Sequence, residues 1–169
     1  VAKSICALAI HVLADRELVD LNSPVAAYWP EFGQNGKEHI RIYDVLAHQC
    51  GAVFSDSAKP GDWFNYPAQC RAIAEQELAW SQRTKGGYNT INIGFILGEV
   101  VRHVSGKTIG KFIREEISGP LEAEYNIGLT SEELALVAPM HLNPENYFWA
   151  ECTKDGSNLN RAHSGRPDN

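Results

Sequence analysis

Apolar side chains at Ile5, Leu8, Ala9, Val12 and Leu13 recur every three to four positions, the spacing of one helical face, and Asp15-Arg16 closes the segment. Asn22-Ser23-Pro24 breaks the pattern and predicts a short helix from Pro24 toward Tyr28, ended by Pro30. Ile40-Arg41-Ile42 alternates like a very short strand, and Tyr43 to His48 reads as a helical turn stopped by Gly51. Residues 52–62, with Ser55, Ser57, Pro60 and Gly61, form a loop.

Periodicity predicts a helix from Ala68 to Leu78, with Ile73 and Leu78 inward and Arg71, Glu75 and Glu77 outward. The stretch from Trp80 to Gly87 is irregular. Ile93, Ile96, Leu97, Val100, Val101 and Val104 then mark a helix from Asn89 to Val104, buried on most of its surface, with Gly94 and Gly98 permitting close packing. Ser105-Gly106 ends it, Thr108 caps a further helix to about Ile117, and Thr130 to Glu133 has the form of a capping box opening a short helix toward Val137. The chain divides at Pro139: residues 1–139 form one partial domain, and 140–169 a divergent tail. Residues 153–169 offer only Leu159 and Ala162 for burial, so this part is expected to be disordered.

Composition narrows the function. The hydrophobic fraction of 44% over 169 residues suits one compact unit. Fifteen Lys and Arg against 21 Asp and Glu leave a net charge of −6, with no basic stripe, which argues against a nucleic-acid partner. No apolar run approaches the roughly 20 residues of a membrane span. Cys6, Cys50, Cys70 and Cys152 have neither C-x-x-C pairing nor His spacing suited to zinc, and read as buried reduced thiols. Because Val1 already lies in helical pattern, a segment is expected to precede it in the full protein.

The ordered motifs carry more information. Val1-Ala2-Lys3-Ser4, followed by the apolar Ala7 to Ile10, resembles the helix after the nucleophile in class C β-lactamases, penicillin-binding proteins and related esterases, where the pattern is S-x-x-K. Leu18 to Val25, Tyr28 to Phe32, the Val45-Leu46-Ala47-His48-Gln49-Cys50-Gly51 segment, and Gly87-Tyr88-Asn89 with the glycine-bearing helix behind it follow in that family's order, over about residues 1–139. The resemblance implies a mixed α/β fold of the β-lactamase/transpeptidase type, of which this chain covers mostly the helical region. It also implies a serine hydrolase that transfers acyl groups from a small-molecule ester, amide or β-lactam, without metal or cofactor.

The resemblance assigns Lys3 and Tyr88 as catalytic and places the Ser one position ahead of Val1, so the chain by itself is expected to be inactive. A Ser three residues before Lys stands one helical turn away on the same face, within reach of the amine. Ser4 projects from a different face. A phenol with an ordinary pKa of about 10 is a poor base, and a neighbouring ammonium favours its phenolate. Two departures weigh against activity: Tyr88-Asn89-Thr90 moves the usual amide by one position and aims it elsewhere, and Gln82-Arg83 replaces Pro-Gly after the tryptophan, loosening the loop that presents Tyr88. His163-Ser164-Gly165 matches the letters of the family's later H-x-G motif but lacks strand pattern. Those departures keep open a non-catalytic homologue serving as a structural or interaction module. A free-standing helical bundle would require the helix from Ile93 to Val104 to be covered by this chain alone.

Gly106-Lys107-Thr108 lacks the first glycine of a phosphate loop, since Val101 stands there. His48 reads as a structural hydrogen-bonder, and Trp29, Trp63, Trp80 and Trp149 as core or pocket lining.

Overall fold

The computed structural model describes residues 1–139, 141 and 147–166, without the side chains of 147–149. Its helices are α1 (Ala2–Asp15), α2 (Ile42–Leu46), α3 (Tyr66–Glu75), α4 (Asn92–Ser105), α5 (Ile109–Ile113), α6 (Ser131–Leu134), α7 (Tyr147–Thr153) and α8 (Asn158–Ala162). Among the described residues there is no strand, only an isolated antiparallel bridge between Pro24 and Arg41. The strand expected at Ile40-Arg41-Ile42 is therefore reduced to that bridge, because Ile42 already begins α2.

Helix α4 is the centre of the core. Ile93, Ile96, Leu97, Val100 and Val101 are buried, and α1, α2, α3 and α5 pack around them. This chain thus covers α4 by itself, so burial does not separate a helical bundle from a larger fold. Of the two glycines on α4, Gly98 is the crowded one: a Cβ there would lie 2.6 Å from the Tyr66 hydroxyl, which would have to move. Gly94 has open space. Gly106 stops the helix in the left-handed conformation, φ 70°, and its N–H donates to Arg102 O.

On α1 the buried stripe is Cys6, Ala9, Ile10 and Leu13, a strict i, i+3, i+4, i+7 set. Leu8, expected inward, is exposed. Thr108 caps α5 through Lys111 N–H, as its position predicts, but the helix widens into a single π turn at Arg114–Ser118. The Thr130 capping box forms in full: Glu133 N–H donates to Thr130 Oγ1 at 3.2 Å, and Thr130 N–H to Glu133 Oε2 at 2.8 Å.

The polar tail is structured where it is described. Arg161 forms a fork to Asp56 at 2.6 and 3.0 Å and lies 4.0 Å from the Phe54 ring centroid. Gly61 N–H and Trp63 N–H donate to Arg166 O and Gly165 O. His163 is a buried side chain that composition had not suggested, and Cys152 is buried as its thiol reading implied. Charge-assisted and backbone hydrogen bonds replace the apolar burial on which the expectation of disorder rested. Residues 140, 142–146 and 167–169 of that tail lie outside the described residues.

Candidate active site

Lys3 stands in the first turn of α1, half-buried, with its Nζ 5.0 Å from the ring centroid of Tyr88. That is cation–π distance. Ser4 is exposed, one position round the helix.

Tyr88 is carried by the loop between α3 and α4, which is tied to the chain following α2. Ala79 N–H donates to Gly51 O at 3.0 Å, Arg83 N–H to Gln49 O at 2.8 Å, and Gly87 N–H to His48 O at 3.0 Å. Trp80 fills the space between: its Nε1 donates to Lys85 O at 3.1 Å, and a Cβ at either Gly51 or Gly87 would collide with it. With Gln82-Arg83 in place of Pro-Gly, the loop makes these backbone hydrogen bonds, one of them from Arg83 itself. Arg83 takes the left-handed conformation, φ 62°, and its Nε lies 3.7 Å from Asp44 Oδ1.

Asp44 is fully buried and also receives Arg41 through backbone N–H, Nε and a guanidinium NH2. Burial alone would push its carboxyl up, but the Arg41 hydrogen bonds and the two positive charges hold it below the usual range.

Asn89 points inward. Its Nδ2 donates to Ala52 O at 3.0 Å and its Oδ1 accepts Ile93 N–H at 3.1 Å, which satisfies an amide in the first turn of α4. The amide that follows Tyr88 is thus a structural strut, spent on Ala52 O and Ile93 N–H.

His48, read from the sequence as a hydrogen-bonder, has that geometry: its Nδ1 accepts Asn89 N–H at 3.0 Å. Its ring centroid is 4.7 Å from that of Tyr88. Sequence reasoning missed its closeness to Tyr88; the signal was a His at a helix end where Gly is usual.

His163-Ser164-Gly165 lies in a turn after α8, with the His163 ring against Trp63 and its Nδ1 2.7 Å from Leu159 O. Lys107 is occupied by Glu115 and Glu116 at 2.8 and 2.7 Å, and Thr108 by its cap, so that segment is structural.

A cleft of about 580 Å³, lined by Trp29, Tyr66, Cys70, Glu99 and Arg102 among others, excludes both Lys3 and Tyr88. Its thiol is unreactive, since burial first and Glu99 second push Cys70 up to about 12. All four cysteines are free and buried. Among the described residues no three His, Cys, Asp or Glu side chains gather as metal ligands, and no helix is long and apolar enough to cross a membrane.

Comparison with known proteins identifies the fold and the family. A family profile described as beta-lactamase matches residues 1–157, past the point where the sequence motifs end. The chain is 34% identical over 126 residues to the Mycobacterium tuberculosis esterase/beta-lactamase LipL, covering 72% of this chain and 28% of that protein. It spans less than a third of that relative's length.

Among solved structures, a penicillin-binding protein homolog from Caulobacter crescentus matches 99% of this chain and 45% of its own, with 29% identity and a TM-score of 0.80. A family VIII carboxylesterase matches 82% of this chain and 39% of its own, with 35% identity and a TM-score of 0.79. The fold is therefore of the β-lactamase/transpeptidase type, represented here by helices, and the chain belongs to the beta-lactamase family of serine hydrolases.

Proposed function

We propose that this chain is the helical part of a longer serine hydrolase in which Lys3 and Tyr88 move protons for a Ser one position ahead of Val1. The carrying observation is the Lys3 ammonium, 5.0 Å from the centroid of a Tyr88 ring that a hydrogen-bonded loop presents. The substrate is a small-molecule ester, amide or β-lactam, the classes to which the names of its relatives refer, an esterase/beta-lactamase, a carboxylesterase and an amidase among them. The Ser oxygen bonds to the carbonyl carbon while its proton passes to the Lys3–Tyr88 pair. The alcohol or amine leaves with a proton, and water then releases the acyl group.

A second reading, a scaffold without catalysis, draws on one observation: the amide next to Tyr88 is buried at Asn89 and is not available to a substrate. Treating the full-length protein with a fluorophosphonate, and mapping the adduct by mass spectrometry, separates the two. Labelling three residues ahead of Lys3, with hydrolysis of p-nitrophenyl butyrate or nitrocefin, supports the enzyme. Absence of any adduct supports the scaffold, and an adduct on Ser4 overturns the assignment of the nucleophile.

A further inference from the structure

His48 ends α2 in a strained conformation. Its φ is 57°, in the left-handed region where Gly is common and a side chain is strained. His48 N–H donates to Val45 O at 3.1 Å and Gln49 N–H to Asp44 O at 2.8 Å, the two bonds of a Schellman stop. Gly would make both with less strain. A side chain held there at a cost points to a use for it.

The use is visible on either side of Tyr88. The His48 carbonyl accepts Gly87 N–H at 3.0 Å, and its Nδ1 accepts Asn89 N–H at 3.0 Å. One residue therefore holds the N–H of the residue before Tyr88 and the N–H of the residue after it, while its imidazole lies 4.7 Å from the phenol ring. Tyr88 is 66% exposed, so surrounding side chains alone do not set its direction. We infer that His48 is a positioning residue for Tyr88: with a neutral imidazole it holds the N–H groups of both neighbouring residues, Gly87 through its carbonyl and Asn89 through its ring, and so fixes the phenol beside Lys3. The inference rests on the reading of Tyr88 as a proton-transfer group.

An Nδ1 that accepts a hydrogen bond must keep its lone pair, so the proton of the neutral ring sits on Nε2. Protonation would set an N–H against the Asn89 N–H and break the clamp on that side. Burial first, and the Lys3 ammonium second, hold the His48 pKa below its ordinary value. The charged and titratable neighbours are Lys3 from α1 and Tyr88 from the loop; Arg83 of the same loop is turned to Asp44. The clamp is therefore still closed at the ordinary histidine value of about 6.5 and opens only at lower pH.

The test uses His48→Gly, which keeps the left-handed turn, and His48→Asn, which tolerates that turn and offers a carbonyl acceptor. In the full-length enzyme, His48→Gly should fold and lose kcat by on the order of 10–100-fold with KM little changed, His48→Asn recovering part of it. The acid-side fall in kcat should disappear in His48→Gly, and in a Tyr88→Phe background the same change should cost nothing further. Wild-type kcat in folded His48→Gly, or an equal loss in both backgrounds, overturns the clamp. Tyr88→Phe with undiminished kcat would instead sink the proton-transfer reading. The clamp then still stands or falls on NMR of this chain. The Tyr88 ring signals should shift as His48 titrates and lose that pH dependence in His48→Gly; ring signals indifferent to both overturn it.

Discussion

The Arg83 guanidinium lies 3.7 Å from the buried Asp44 carboxylate, so charge as well as backbone hydrogen bonds ties the Tyr88 loop to α2. The two partners are unequal. Asp44 is fully buried and neutralised mainly by Arg41, whereas the Arg83 side chain is 54% exposed. Asp44→Ala should cost about 1–3 kcal/mol in urea unfolding, because it leaves the partly buried Arg41 donors without their acceptor, and Arg83→Ala less than about 1 kcal/mol. Equal losses for the two would mean that Arg83, not Arg41, balances the carboxylate.

Ile96 sits fully buried on α4, the helix against which α1, α3 and α5 pack. Ile96→Ala should destabilise the chain by about 2–5 kcal/mol, transfer and cavity terms together. Leu8→Ala, on the exposed side of α1, should stay within about 0.5 kcal/mol. A large loss at Leu8 in this chain would show that the α1 stripe has been assigned one position out of register.

Lys37 is completely buried, donates through Nζ to Gln76 O past the end of α3, and lies over the Phe32 ring. Burial pushes its pKa down to about 8, against the smaller opposing pull of Glu38 and Glu77. The sign follows from linkage: the unfolded chain keeps this proton to about 10.5 while the folded chain releases it near 8, so stability rises with pH between them. From pH 7.5 to 9.0 the gain from this group is about 1 kcal/mol. Lys37→Met should lack that rise when the two proteins are compared by urea unfolding across the same range. The buried thiols, which pull the opposite way at the upper end, are common to both and cancel.

Local signals were the legible part of this fold. The six apolar positions of α4 and the Thr130–Glu133 box each lie within one element, so periodicity and capping chemistry find them. The link between residues 48–51 and 79–89 is made largely by backbone N–H and C=O groups, which every residue carries, and leaves no pattern to read. Arg161 and Asp56 are likewise ordinary surface charges until the tail brings them to 2.6 Å. Motif order, not periodicity, suggested that Lys3 and Tyr88 are neighbours, because a distant pair has no period.

The pair itself yields the sharpest kinetic expectation for the full-length protein. If Lys3 and Tyr88 act together on the Ser proton, Tyr88→Phe should lower kcat by roughly 10²–10⁴-fold, the usual cost of a lost general acid or base. Folding should scarcely change, because the Tyr88 side chain is mostly exposed and the flanking amide bonds to His48 remain. Lys3→Ala should be at least as damaging. The double variant should lose much less than the product of the single losses, since groups that act as one unit are not additive. Multiplicative losses would mean that the two residues work on different steps. A folded Tyr88→Phe protein with near-normal turnover would make Tyr88 a packing residue and leave Lys3 alone, too little to carry the mechanism.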